Sequence, residues 1–213
     1  MAEHALSAEQ FDDGVQQRTA ATLGMWVFLA TEVLFFGVLF AAYLMLRLRF
    51  GAAFAEASRR TDMLAGTLDT AILLTSSFTL VLALRAIEAG SRRSAVRLLV
   101  ATALLGAAFL GLHGMEYHKE YTEHLIPGLD FVYAGERAGG VEIFFCLYYL
   151  ITGFHSLHVL IGVVLLAVMA WRCALGAFGP LRSTPVEIAA LYWHFVDIVW
   201  VFVYPALYLV SRS

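Results

Sequence analysis

Residues 141–171 read VEIFFCLYYLITGFHSLHVLIGVVLLAVMAW, a predominantly apolar run of 31 residues. At about 1.5 Å per residue, a helix of this length measures about 46 Å, which exceeds the roughly 30 Å hydrocarbon core of a bilayer. The run therefore predicts a transmembrane helix that tilts or projects into water. Its continuous hydrophobicity favours a helix over the alternating strands of a membrane barrel.

Four further apolar runs are long enough to cross a membrane. Hydrophobic residues make up 61% of the 213 residues, well above the roughly 45–50% of an ordinary soluble domain. The sequence thus predicts an all-α polytopic membrane protein, a bundle of five transmembrane helices that forms one domain over residues 23–213 after a polar N-terminal tail, residues 1–22. The other four runs occupy about residues 23–46, 66–88, 95–117 and 186–210.

The charged residues exclude some functions but leave the orientation open. The tail is acidic and lacks the basic start and apolar middle of a cleavable signal. Lys and Arg divide seven to seven between the two sides of the predicted bundle, so the preference of positive charge for the cytoplasmic side does not decide the topology. A net charge of −3 with scattered arginines argues against nucleic-acid binding.

Glu32 is the most unusual residue of the first predicted helix. It lies nine residues into that helix, at a depth of about 14 Å. An ionised carboxylate is costly there, so we expect Glu32 to be protonated or to face protein, water or a partner. Two interpretations stay open: a neutral acid that serves packing alone, or a site that exchanges protons.

Asp69 lies near the start of the second predicted helix. Hydroxyl residues follow it at Thr70, Thr75, Ser76 and Ser77, and they can bond neighbouring helices. A structural role is favoured for this region, and the position of Asp69 makes it a second proton-related candidate beside Glu32.

The last two helices contain closely spaced polar side chains. His155 and His158 are three residues apart and point toward one side of their helix, while His194 and Asp197 are one turn apart on the next. An aspartate beside a histidine can fix its tautomer or share its charge. We expect these four residues to form an interhelical polar network.

The histidines do not have the spacing of haem or metal ligands. Stacked haems in membrane cytochromes need axial histidines about 13 or 14 residues apart on one helix, and His155 and His158 are only three apart. His113 and His118 are predicted to be wetted at the end of the third helix. We therefore predict no metal ligand in this chain.

Three tryptophans fall toward predicted helix ends, where an indole can lie in the headgroup layer with its N–H wetted. They are Trp26, Trp171 and Trp193, whereas Trp200 is deeper and is expected to pack inside the bundle.

Five segments carry a resemblance to a known family. They are Gly24-Met25-Trp26, Thr31-Glu32-Val33, Leu68-Asp69-Thr70, residues 152–158 (TGFHSLH) and residues 192–200 (YWHFVDIVW). In this order, over about residues 20–210, they closely resemble subunit III of haem–copper respiratory oxidases, in its short five-helix bacterial form.

The resemblance implies an accessory subunit that is not catalytic by itself but belongs to a cytochrome c oxidase complex. Its expected role is to stabilise subunit I, to support proton uptake and to bind phospholipid during aerobic electron transport. We expect structural phospholipid in this chain, with haem and copper in the partner subunits. Subunit I is the expected main contact, and subunit II the other. The expected location is the bacterial cytoplasmic (inner) membrane, with the N-terminus in the cytoplasm and the C-terminus outside.

The resemblance also assigns roles to residues. The acid that matches Glu32 lies within the membrane and is associated with carbodiimide reactivity. Arg172 resembles an arginine that binds a phospholipid headgroup in a cleft. Trp26 and Trp193 are further headgroup candidates because of their predicted positions near helix ends, not because of the resemblance. Asp69 stands where the family usually has Asn. Longer members have two additional N-terminal helices, so another element must complete the cleft here.

Two alternatives remain. The equivalent subunit of a quinol oxidase or a nitric oxide reductase would look similar. Glu32 and Asp69 are also compatible with a small proton or ion transporter, although no inverted repeat supports that interpretation.

Overall fold

The computed structural model describes residues 14–128, 131–180 and 182–209. Six α-helices occur within these ranges, followed by a short π-helical turn at Pro205–Leu209. The helices are α1 (Gly14–Arg49), α2 (Gly51–Ser58), α3 (Met63–Glu88), α4 (Arg92–Thr122), α5 (Ala138–Ala174) and α6 (Thr184–Tyr204). In the described part of the chain, five of them are long and apolar enough to cross a membrane: α1, α3, α4, α5 and α6 with its π-helical turn.

The five predicted transmembrane helices are confirmed, and all five begin before their apolar runs. α1 begins at Gly14, so residues 14–22 of the predicted tail are helical, while residues 1–13 lie outside the described ranges. α5 reaches 37 residues, about 55 Å. Polar residues at helix ends can stay helical in the headgroup layer, although they lie outside the apolar runs.

α2 was not predicted, because residues 47–65 look like a polar break between two membrane helices. The side chains of Phe54, Ala57 and Ser58 in α2 are fully buried. Ser58 Oγ donates a hydrogen bond to the carbonyl of Leu207 at 2.8 Å. α2 therefore caps one end of the bundle, against α5 and the π-helical turn.

Local signals fix the ends of α3. Asp62 caps its N-terminus, accepting hydrogen bonds from the backbone N–H groups of Leu64 and Ala65 at 3.1 and 3.2 Å. Gly90, at φ +72°, ends it with the Ser91 N–H bonded to the Ala86 carbonyl. This tight turn makes α3 and α4 antiparallel neighbours, which places the start of α3 and the end of α4 at the same end of the bundle.

The core lies among α3, α4, α5 and α6 and is rich in aromatic side chains. Trp193 of α6 lies at its centre between two glycines. A Cβ on Gly106 of α4 would lie 2.5 Å from the Trp193 ring, and one on Gly162 of α5 would lie 2.6 Å from it. Glycine is required at both positions because any side chain would overlap the indole.

α1 lies on the outside of this core and contacts α2, α5 and α6. Many of its apolar residues, including Leu34 and Val38, remain exposed. In a membrane protein such a face is covered by lipid or by a partner subunit.

Candidate functional site

Glu32 of α1 faces His158 of α5. Oε2 of Glu32 lies 3.1 Å from Nε2 of His158, and the two side chains are 17% and 13% exposed. Both residues lie near the middle of their long helices, at least 16 residues from either end. Glu32, the acid predicted at membrane depth, therefore has a titratable partner, His158, on a neighbouring helix.

The proton arrangement of this pair follows from its contacts. Nδ1 of His158 lies 2.7 Å from the carbonyl oxygen of Phe154. A carbonyl only accepts, so Nδ1 carries a proton and donates it. The contact between Nε2 and Oε2 then requires one further proton, held by either atom. The pair is either a protonated acid with a neutral imidazole or a carboxylate with an imidazolium, and both forms are neutral overall.

Aromatic side chains surround the pair on its inner side. The Phe36 ring lies edge-on to the His158 ring with centroids 5.4 Å apart, and the Tyr192 hydroxyl donates to the carbonyl of His158 at 3.0 Å. The remaining exposure of Glu32 lies toward the surface of the bundle. The pair is therefore enclosed by protein on one side and partly exposed at the bundle surface on the other, where lipid or a partner subunit would face it.

The four residues of the predicted polar network lie in different surroundings. His158 contacts Glu32, whereas His155 is fully buried between the rings of Phe109 and Trp200, with centroids 5.6 and 5.1 Å away. Neither ring nitrogen of His155 has a hydrogen-bond partner among the described residues. The two histidines therefore contact different neighbours, His155 the aromatic rings of α4 and α6 and His158 the carboxyl group of Glu32 in α1.

His194 and Asp197 of α6 both lie near α3. Nδ1 of His194 is 2.6 Å from the Ser77 hydroxyl. Asp197 is buried near the same serine, but its carboxylate oxygens form no hydrogen bond within the described ranges. The geometry makes Ser77, rather than Asp197, the hydrogen-bond partner that orients the His194 ring.

Asp69 lies in a second buried polar cluster, between α3 and α4. Ligand atoms of Asp69, His113 and Glu116 all lie within 4.8 Å of one another. The expectation that His113 is wetted is wrong, because its side chain is buried against Phe109 and Trp200; His118 is exposed.

Sequence reasoning did not identify Glu116 or the nearby buried Glu120 as site residues. A signal was present, because His113, Glu116 and Glu120 follow one another at helical spacing on one face of α4. Asp69 near the start of the antiparallel α3 falls at the same end of the bundle. Acidic residues near a helix end are usually solvated, so the sequence did not lead us to expect Glu116 and Glu120 to be buried.

The predicted headgroup candidates separate into exposed and buried side chains. Trp26 is 58% exposed and Arg172 is exposed at the end of α5, with its guanidinium 5.7 Å from the Phe178 ring centroid. Trp193 is completely buried and donates its indole N–H to Ser76 Oγ at 3.0 Å. The headgroup prediction for Trp193 is corrected, because no lipid can reach it through the core.

Arginines gather at the end of the bundle that carries Arg172. Arg92, Arg93 and Arg97 at the start of α4 line an open cavity of about 680 Å³ together with Ala174 of α5. No carboxylate forms an ion pair with these three arginines in the described part of the chain. The cavity is therefore strongly positive.

Comparison with known proteins gives matches over nearly the whole chain. The family model for cytochrome c oxidase subunit III matches residues 8–212. Cytochrome c oxidase subunit 3 of Thermostichus vulcanus is 36% identical over 191 residues, which cover 89% of this chain and 87% of the relative. Quinol oxidase subunit 3 of Bacillus spizizenii is 29% identical over 211 residues, 99% of this chain and 97% of the relative. Cytochrome bo(3) ubiquinol oxidase subunit 3 of Pseudomonas putida is 31% identical over 190 residues, 89% and 85% of the two chains.

The family model spans all five membrane helices, including the segments that carry Glu32, Asp69 and the two histidine motifs. The chain belongs to the cytochrome c oxidase subunit III family and is a multi-pass membrane subunit of a haem–copper oxidase that uses either cytochrome c or quinol.

Proposed function

We propose that this chain acts as a non-redox accessory subunit that lies beside subunit I of a bacterial terminal oxidase, in contact also with subunit II. Family membership and relatives of similar length that are named as oxidase subunits support this proposal. Haem and copper then belong to the partner subunits. The chain lies in the cytoplasmic membrane with its N-terminus in the cytoplasm and its C-terminus outside.

The observation that carries the proposal is the contact between Glu32 and His158. A neutral pair that shares a proton avoids the cost of an isolated charge at membrane depth. It can also accept or release a proton when its exposed side meets water or a partner subunit. We propose that the pair exchanges protons at the edge of the subunit and thereby supports proton uptake by subunit I during sustained turnover.

Asp69 is the second proton-related candidate, but it does not extend this pair. Its neighbours are His113 and Glu116 of α4, whereas Glu32 bonds to α5. The two acids therefore belong to separate groups. Proton exchange with the complex is therefore assigned to Glu32, which retains an exposed face, whereas Asp69 belongs to a buried cluster.

Lipid binding is proposed for the arginine-rich end of the bundle. The exposed Arg172 guanidinium and the cavity lined by Arg92, Arg93 and Arg97 offer cationic donors to a lipid phosphate. Trp26 supplies an exposed indole of the kind found at headgroup depth. This end is cytoplasmic in the proposed orientation.

The electron donor has two candidates, because relatives are named as subunits of both cytochrome c and quinol oxidases. The 36% identity with a cytochrome c oxidase subunit favours cytochrome c. Oxygen consumption by the purified complex with reduced cytochrome c, compared with a reduced quinol, distinguishes the two.

Purification of the tagged chain from its native membrane tests the proposal. We expect it to retain two further subunits and a haem Soret absorbance, with mass spectrometry identifying subunits I and II. Recovery of the bare chain without haem from mildly solubilised membranes would contradict the proposal and would favour a free-standing proton transporter.

A further inference from the structure

The cluster of Asp69, His113 and Glu116 has the composition of a metal site. It provides one imidazole and two carboxylates, with a ligand atom of each within 4.8 Å of the others. Nδ1 of His113 and Oε2 of Glu116 are already 3.4 Å apart. Ligands of a tetrahedral zinc ion are about 3.3–3.5 Å apart, since each bond measures about 2.0–2.2 Å. A side-chain shift of about 1 Å by Asp69 would complete three ligand positions of such a site.

The side chains of this cluster lack partners that their burial would ordinarily require. Asp69 is fully buried and His113 is 2% exposed. Neither oxygen of Asp69 and neither ring nitrogen of His113 forms a hydrogen bond with any described residue. Buried polar groups are nearly always satisfied, so these atoms point to a bound species between them.

Charge balance favours a cation as that species. Two carboxylates meet in the cluster, and the buried Glu120 adds a third acid on the same helix face. Lys119, the one lysine in the sequence, is half exposed and its Nζ lies 3.3 Å from Asp62. A divalent ion would neutralise Asp69 and Glu116 together.

The donor set selects the type of ion. Magnesium and calcium prefer oxygen ligands alone, whereas imidazole combined with carboxylates suits zinc and related transition metals. Tyr208 donates a hydrogen bond to Oε2 of Glu116 at 2.8 Å, an outer contact of the kind that orients ligating carboxylates. Asp69 and Glu116 lie six residues inside the ends of α3 and α4, about 9 Å from the loops, so an entering ion has a short path.

We propose that Asp69, His113 and Glu116 bind a zinc-type divalent cation between α3 and α4. The ion would have no redox role and would link the two helices near the end of the bundle that α2 caps. The proposal does not depend on the role assigned to Glu32.

Zinc binding to the full-length chain in detergent provides the test. The chain is stripped with a chelator, equilibrated with zinc chloride, and its metal content is measured by mass spectrometry. We expect about one zinc per chain, with affinity weakened roughly tenfold or more in Asp69→Asn and His113→Gln, since loss of even an outer contact costs that much. His118→Gln is the matched control, because His118 is exposed on the same helix, and it should bind as the wild type does.

X-ray absorption of the zinc-loaded wild type supplies a readout that does not depend on variant folding. We expect nitrogen and oxygen ligands at about 2.0–2.2 Å and no sulfur. Absence of zinc from the wild type, equal affinity in a folded Asp69→Asn variant, or a sulfur ligand from the exposed Cys146 would each overturn the proposal. Because no oxidase partner is needed, a negative result leaves the accessory-subunit function unaffected.

Discussion

Oε2 of Glu32 in α1 and Nε2 of His158 in α5 lie 3.1 Å apart, 126 residues apart in the chain. This contact holds the peripheral α1 against the core and encloses one shared proton. The proton that neutralises the pair is, in the proposed function, also the one that the pair exchanges.

A double-mutant cycle measures the strength of this contact. Glu32→Ala and His158→Ala are each expected to destabilise the protein, and their combination should cost less than the sum of the two. We expect a coupling free energy of about 1 kcal/mol, within the range of interhelical hydrogen bonds in membranes. Reversible unfolding in mixed micelles gives the values. Strictly additive effects would show that the two side chains do not interact.

Trp26 and Trp193 should respond differently to lipid. In variants that retain one of the two tryptophans, with the other three replaced by Phe, fluorescence is measured in bilayers of brominated lipid. Bromine quenches indoles that it can approach, so we expect strong quenching of the exposed Trp26 and little quenching of the buried Trp193. Comparable quenching of the two would mean that Trp193 is not inside the bundle.

The packing of Trp193 predicts a strong position dependence for glycine substitution in α4. Gly106→Ala places a Cβ 2.5 Å from the indole and 2.7 Å from a Val163 methyl group. We expect a loss of about 1–3 kcal/mol in the free energy of unfolding, the usual cost of overpacking.

Gly111→Ala is the control for this substitution, because nothing lies within 4 Å of the added Cβ. It should be neutral or stabilising by up to about 1 kcal/mol, the gain in helix propensity. Equal destabilisation by both substitutions would contradict the close approach of α4 and α6.

The N-cap of α3 predicts a dependence of stability on acid. Hydrogen bonding from the Ala65 N–H, assisted by Lys119, holds the pKa of Asp62 below its ordinary value of 3.8. A lowered folded-state pKa means that this stabilisation is fully present above the unfolded pKa and is lost as pH falls through the folded value. Wild-type stability should therefore decline below about pH 4 more steeply than that of Asp62→Asn.

Two variants separate the charge of Asp62 from its capping role. Asp62→Asn keeps an oxygen acceptor for the backbone N–H groups, whereas Asp62→Ala removes the cap and should cost about 1 kcal/mol at neutral pH. Chemical denaturation across the acid range measures both effects. Identical acid profiles for the wild type and Asp62→Asn would exclude a contribution from this carboxylate.

The membrane-spanning architecture could be predicted because it depends on length and apolarity alone. α2 could not, since its eight residues are too few to span a bilayer and its helix is stabilised by burial of Phe54 and Ala57 in the bundle. The ends of the long helices were missed for a related reason. Hydrogen bonding continues through Arg, Gly and Thr residues that interrupt an apolar pattern.

Individual residues of the candidate site could be predicted from the sequence, but the contacts between them could not. The cost of a carboxylate at depth identified Glu32, yet only tertiary packing brings His158 to it. His194 illustrates the same limit: Asp197 is one turn away in sequence, but the hydrogen bond goes to Ser77 on α3. Helical periodicity restricts which side a residue faces, and it does not identify the neighbouring helix on that side.

Glu32 is proposed to support sustained turnover of the oxidase through proton exchange. The most direct test of this role is the number of catalytic cycles that the purified complex completes before inactivation, compared for the wild type, Glu32→Gln and Glu32→Ala, with haem and copper content measured in each. Glutamine keeps a hydrogen-bonding group near His158 but cannot titrate, so we predict that both variants inactivate sooner while retaining full haem and copper. If Glu32→Gln completed as many catalytic cycles as the wild type, Glu32 would serve packing alone. Loss of haem in either variant would contradict the assignment of Glu32 to a non-redox subunit.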